Sequence, residues 1–198
     1  MSDPRGVSLH EMAESRLIEQ ARDGDRSAFE ELVRHHADRL YAVVLRFSSG
    51  PEEAEDVTQE TFLRAWRSIG RFHGHSRFFT WLYRIGVNEA KRRHERRSKA
   101  ESLRSTDETP LEDAPDWTES PERRAQQRDE RAVLERAVRA LPFKYRAPLI
   151  LRDVEGLSTA EAAEVMGLRE AAFKSRLHRA RLRVRGELEK YYEGEGEA

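Results

Sequence analysis

Between Lys174 and Arg185 the sequence reads KSRLHRARLRVR, with a Lys or Arg at nearly every second position and no acid among them. A helix carrying this run neutralises phosphates, so its chemistry is nucleic-acid binding. Just upstream lies Ser158-Thr-Ala-Glu-Ala-Ala-Glu-Val-Met-Gly167-Leu168. There Ser158 and Glu161 have the spacing of a capping box, Ala163 is small where two helices must approach, and Gly167 suits a turn needing positive φ. Ala162, Met166, Leu168 and Phe173 take the inward positions. The pattern predicts a helix-turn-helix whose second, basic helix enters the major groove. Its outward candidates for phosphates and base edges are Lys174, Ser175, Arg176, His178, Arg179 and Arg181. Because Arg pairs bidentately with guanine, Arg176 and Arg179 rank above Lys174 as base readers. Helical spacing gives Ser175, Arg179 and Arg183 a shared face and puts Arg181 and Arg185 on a neighbouring strip, for phosphate or solvent. The bland alternative is a helical hairpin with a solvated basic face. The whole chain has 36 Lys and Arg against 37 Asp and Glu, net charge -1, so its basicity is concentrated in place.

Catalytic chemistry finds little material. The chain has no cysteine, which excludes disulfides, thiolate metal sites and thiol nucleophiles. His35-His36-Asp38 and His73-x-His75 lack the spacing of a metal-binding helix such as HExxH. His35 and His36 are adjacent, point in different helical directions, and read as solvated surface histidines. No glycine-rich loop to cradle phosphates is present, so nucleotide hydrolysis has no support. The reading is therefore of a non-enzyme without cofactor or metal. Neither a run of apolar residues long enough to cross a bilayer nor a signal-peptide core occurs, so the chain is expected in the cytoplasm without membrane insertion.

The elements that must position the basic helix divide into two blocks. In the first, a short amphipathic segment around Leu17, Ile18 and Ala21 breaks at Asp23-Gly24-Asp25. Ser27 and Glu30 suggest a capping box for a second helix, whose apolar residues Phe29, Leu32, Val33, Leu40, Val44 and Phe47 run to Ser48-Ser49-Gly50. Pro51 and the acids Glu52, Glu53, Glu55 and Asp56 open a third helix with an inward stripe at Val57, Phe62, Ala65, Trp66 and Ile69. A loop from Gly70 to Ser76 precedes a fourth, in which Phe78, Trp81, Leu82 and Ile85 read as core and which turns basic at Lys91-Arg-Arg-His-Glu-Arg-Arg97. From about Ser98 the composition shifts to Ser, Thr, Pro and acids, the signature of a flexible acidic linker. The second block opens at Ser120-Pro121 with Val133, Leu134, Ala137, Val138 and Leu141 on one helix face. A shorter helix from Tyr145 to Asp153 requires Pro148 in its first turn and closes at Gly156. The fold expected is all-α, two small helical domains joined by the linker, with a flexible N-terminus over 1–14, domains at 15–97 and 120–192, a linker at 98–119, and a disordered tail at 193–198.

Two further segments carry more polarity than packing demands: Asp56-Val-Thr-Gln59-Glu60-Thr-Phe62-Leu-Arg-Ala-Trp66, and Phe78 through Trp81, Tyr83 and Asn88 to Lys91-Arg92-Arg93. Together with Gly24-Asp25-x-x-Ala28-Phe29-x-x-Leu32-Val33, Leu141-Pro142, Glu155-Gly156-Leu157-Ser158 and Lys174-Ser175-Arg176-Leu177-His178-Arg179-Ala180-Arg181, they resemble bacterial RNA polymerase sigma factors of the extracytoplasmic-function group. The resemblance covers about residues 15 to 97 and 120 to 190. It implies a two-domain initiation factor that binds core RNA polymerase and promoter DNA, reads -10 and -35 elements in a stress or envelope response, and is restrained by an anti-sigma partner. It further implies polymerase contact at Asp56, Gln59 and Glu60, and -10 contact at Arg71, His73, His75, Asn88, Lys91 and Arg92, with -35 contact on the basic helix. The chain departs from the family pattern at the start of that helix, where Arg169-Glu170-Ala171-Ala172 stands in place of a Gly-Thr opening and Phe173 replaces a smaller residue. Two rivals remain on residues alone: a two-domain regulator that binds an operator unaided, and a helical adaptor whose basic helix gives only nonspecific affinity.

Overall fold

The computed structural model describes residues 9–104 and 121–195, with side chains described at 12–99 and 130–193. The described residues contain helices and no strand. They separate into two compact units, the first formed by α1 (Leu9–Arg22), α2 (Arg26–Leu45), α3 (Pro51–Ser68) and α4 (Phe78–Arg104) as far as Arg92. The second is built from α5 (Pro121–Arg139), α6 (Phe143–Leu149), α8 (Glu170–Glu195) and most of α7 (Thr159–Val165).

In the first unit, α1 ends where the chain turns at Gly24, whose φ of 96° is a left-handed value that a side chain would strain. The cap of α2 differs from the sequence expectation. Asp25 is the N-cap, its carboxylate accepting from the Ser27 and Ala28 amides at 2.8 and 3.3 Å. Ser27 already lies inside the helix, and Glu30 pairs with Arg26 at 3.0 Å. An ionised carboxylate at this position satisfies two orphan amides and complements the helix dipole, so it outcompetes the serine two residues later. Pro51 opens α3 as expected, and Val57, Phe62 and Ala65 are buried along its length, followed by Ile69 in the 3-10 turn Ile69–Arg71. Helix α4 packs closely on both α2 and α3 at Gly86, where a Cβ would come within 3.2 Å of Leu40 Cδ1 and 3.4 Å of Thr61 Oγ1.

Aromatic rings close this core at the start of α4. Phe72 and Phe78 meet edge to face at 5.7 Å, and Trp81 lies 5.1 Å from Phe72 and 5.6 Å from Phe78. His36 does not behave as a solvated surface histidine. Its ring sits 5.3 Å from both Phe78 and Phe79, and its Nε2 is 2.9 Å from Glu14, joining α1 to α2 and α4. Tyr83, which packs 4.0 Å from Phe79, is wholly buried.

Three expected boundaries shift. Residues 9–14 are helical, α4 continues to Arg104, past the change of composition at Ser98, and α8 continues to Glu195. Polar helix-forming residues extend a helix already nucleated by packing, because each added residue then gains a hydrogen bond without a new nucleus. Residues 1–8, 105–120 and 196–198, which hold most of the expected flexible ends and linker, lie outside the described residues.

In the second unit, α5 and α6 both pack on α8. Val133, Ala137 and Leu141 are buried, whereas Leu134 is exposed, since it falls between the turns of the α5 stripe. Arg146 is buried and donates from Nη1 to the Arg139 carbonyl at 3.2 Å, which satisfies an acceptor at the end of α5. Pro148 lies in the interior of α6, not in its first turn. Past it the Ile150 amide still bonds the Arg146 carbonyl, and the chain then widens into a π turn at Ile150–Val154, where the Glu155 amide donates to the Ile150 carbonyl at 2.9 Å. A proline nitrogen donates nothing, so Pro148 gives the Lys144 carbonyl no hydrogen bond.

Candidate nucleic-acid and polymerase interfaces

The helix-turn-helix is built by local chemistry that the sequence announces. Ser158 and Glu161 form a reciprocal capping box, the Ser158 amide donating to Glu161 at 2.9 Å and the Glu161 amide to Ser158 Oγ at 3.2 Å. At the turn Gly167 has φ 62°, with its amide on the Glu164 carbonyl at 3.0 Å and the Leu168 amide on the Ala163 carbonyl at 2.9 Å. Helix α8 begins without a hydroxyl cap, the Arg169 carbonyl accepting from Phe173 at 3.0 Å. Phe173, Leu177, Ala180 and Val184 are buried at helical spacing, which turns Lys174, Ser175, His178 and Arg179 to solvent and leaves Arg176 half-buried.

The arginines of α8 are not equivalent. Arg181, grouped by sequence with the DNA-facing side chains, places Nε and Nη2 on the two Asp153 oxygens at 2.9 and 2.6 Å. This pairing raises its pKa further and braces α8 against the π turn. The Arg183 guanidinium stacks 4.4 Å from the centre of the Tyr145 ring, and Arg179 adds its positive charge beside the phenol. With Lys144 also near, these cations hold the Tyr145 phenol below its usual 10.0, Arg179 having the largest effect. Lys174 pairs with Glu170 at 3.4 Å and Arg185 with Glu189 at 2.7 Å.

Two exposed sets occupy the first unit. Arg71 ends the 3-10 turn, and His73 and His75 flank Gly74, φ 72°, with their rings 6.2 Å apart. Asn88, Lys91 and Arg92 share an exposed face of α4 at spacings of three and four, and Asn88 lies about 15 Å along the helix from Phe78 at roughly 1.5 Å per residue. On α3, Asp56 and Gln59 are exposed and Glu60 is half-buried, with Arg64 Nε at 2.6 Å from its carboxylate. Gln59 also borders an open depression of about 520 Å³ walled by Phe29, Val33, Leu63 and Trp66. The sequence reading omitted Leu63, which is 46% exposed. Its signal was an apolar residue standing outside the inward stripe of α3.

Comparison with known proteins places these features in a family. The Sigma-70 region 2 model matches residues 32–100, and the Sigma-70 region 4 model matches residues 131–184. The chain is 37% identical over 179 residues to the RNA polymerase sigma-H factor of Pseudomonas aeruginosa, covering 87% of this chain and 92% of that one. It is 31% identical over 188 residues to the ECF RNA polymerase sigma-E factor of Haemophilus influenzae, covering 90% and 97%. The chain belongs to the extracytoplasmic-function RNA polymerase sigma factors. Among solved structures, the sigma factor RpoE in complex with the anti-sigma factor NepR, from Bartonella quintana, superposes with a TM-score of 0.65 at 25% identity, covering 81% of this chain and 96% of that one. In this sigma factor the region 2 match contains α3 and the -10 candidates on α4, and the region 4 match contains the helix-turn-helix. Among its described residues no helix is long and apolar enough to cross a membrane.

Proposed function

We propose that this sigma factor divides its work among three surfaces. Asp56, Gln59 and Glu60 on α3 dock on core RNA polymerase, their acidic and polar face suiting a basic partner, with Leu63 and Trp66 adding apolar area beside Gln59. Arg71, His73, His75, Asn88, Lys91 and Arg92 contact the -10 element. Asn88 hydrogen-bonds an unstacked base, and the cations hold the backbone. Lys174, Ser175, Arg176, His178 and Arg179 contact the -35 element in the major groove, while Arg181, held by Asp153, braces the reading helix. The domains at 15–97 and 120–192 are the functional units, joined by the acidic linker.

The observation that carries the reading is the placement of the outward basic set on a helix that follows a capped helix and a positive-φ glycine turn. The chain redirects the polymerase and performs no chemistry of its own. It works in the cytoplasm during a stress or envelope response, and an anti-sigma protein restrains it, as NepR accompanies RpoE in the solved complex. Transcription from purified core polymerase, with and without this chain, tests the proposal. Promoter-specific initiation is expected only when the chain is present. Failure to join core polymerase, coupled with tight unaided binding to a duplex operator, would reverse the assignment in favour of a conventional regulator.

A further inference from the structure

Glu89 is an anomaly on α4: a carboxylate only 4% exposed, beside the exposed Asn88, Lys91 and Arg92 assigned above to DNA. Buried carboxylates need partners, and Glu89 has two guanidinium groups on one oxygen. Arg64 Nη2 reaches Glu89 Oε2 from α3 at 3.2 Å, and Arg92 Nη1 approaches the same oxygen from one turn along α4 at 3.5 Å. Arg64 is held in turn by Glu60, Nε to Oε1 at 2.6 Å. The result is a chain of alternating charge, Glu60 to Arg64 to Glu89 to Arg92, running from the acidic face of α3 to the basic face of α4. Glu89 is its buried member, while the side chain of Arg92 is 53% exposed.

We infer that Glu89 is a positioning residue, which fixes the guanidinium of Arg92 beside Asn88 for nucleic-acid contact and ties it through Arg64 to Glu60 on the polymerase-facing helix. The inference rests on the proposed assignment of α3 to polymerase and α4 to DNA. An Arg held at one nitrogen keeps its remaining donors free, and loses less side-chain freedom when a phosphate arrives. The charge of Glu89 opposes DNA binding, so its removal by simple electrostatics would strengthen attraction to phosphates. Positioning predicts the opposite sign.

The test uses the full chain assembled with core polymerase and a forked DNA duplex selected from a random pool by the wild-type complex. Glu89→Gln is expected to weaken binding to this duplex about tenfold. It should lower the magnitude of the salt slope by about 1, the same change expected for Arg92→Ala. In the Arg92→Ala background Glu89→Gln should add no further loss, because its action runs through that residue. The melting temperature is expected to fall, because Glu89→Gln leaves Arg64 without its buried countercharge, so binding is measured well below the transition, where core polymerase affinity should stay at the wild-type value. Glu89→Asp keeps the charge and fold but draws the carboxylate back, and a smaller loss of about threefold is expected. Unchanged or stronger DNA binding in Glu89→Gln overturns the inference, as do losses that multiply with Arg92→Ala. Should Arg92→Ala itself leave DNA binding intact, the assignment of α4 to DNA fails, and the inference with it. Normal Arg92 dependence without Glu89 dependence removes the inference alone.

Discussion

Tyr145 faces two arginines of α8, Arg183 over its ring and Arg179 as the largest cause of its lowered pKa. The spacing of Arg179 and Arg183 puts them on one helix face, and tertiary packing sets that face beside the Tyr145 ring. The pH dependence has a definite sign. The folded state favours the phenolate, so linkage adds nothing to stability near neutrality, appears as pH rises through the lowered folded value, and is complete above the unfolded value of 10.0. Ultraviolet titration of tyrosinate should place Tyr145 below that value, and Arg179→Ala should move its titration upward; an unmoved titration would deny the contact. Arg181 gives a second contrast. Asp153→Ala breaks an exposed bidentate pair and should cost about 0.2 to 1 kcal/mol of stability in the second unit, read by chemical denaturation. By comparison, Arg179→Glu should weaken -35 duplex binding by about 1 to 3 kcal/mol while polymerase pull-down is retained. Equal loss of both would contradict the separation of surfaces.

At the scale of elements, caps and turns decide where helices can begin. The box at Ser158 and Glu161 fixes the start of α7, and Gly167 redirects the chain into α8. Ser158→Ala should therefore lower the stability of the second unit by about 1 kcal/mol, measured as a shift in its urea midpoint, and DNA affinity should fall in proportion only once that unit begins to unfold. The short α6 follows a different logic. Pro148 sits in its interior, where it withholds one rung of the hydrogen-bond ladder, and a π turn follows at Ile150–Val154. That turn also carries Asp153, which holds Arg181. The π turn thus contributes a brace for the basic helix. Sequence spacing exposed the caps of α7 because both partners lie within four residues. It misassigned the cap of α2, since Asp25 and Ser27 are both good caps and only the observed backbone chooses between them.

Across the whole molecule, the separation of surfaces predicts separable losses. Replacing Asp56 with Lys and Gln59 with Ala should reduce retention on immobilised core polymerase by about tenfold or more, while duplex DNA binding through α8 is unchanged. A parallel loss of DNA binding would place the two activities on one surface. By itself the sequence determined the all-α class, the stripes that bury Val57, Leu82 and Phe173, the helix-turn-helix, and the concentration of charge on α8. These are local or periodic properties, written at spacings of three and four, and they survive without knowledge of what packs against what. Tertiary structure alone decided the fate of individual polar groups. It buried Glu89 between two arginines, wedged His36 among Phe78, Phe79 and Glu14, and assigned Arg181 to Asp153, 28 positions away in the chain. A charged side chain can reach solvent, phosphate or an opposite charge with equal ease. Which one it meets depends on the crossing of helices distant in sequence, and no periodicity encodes that choice.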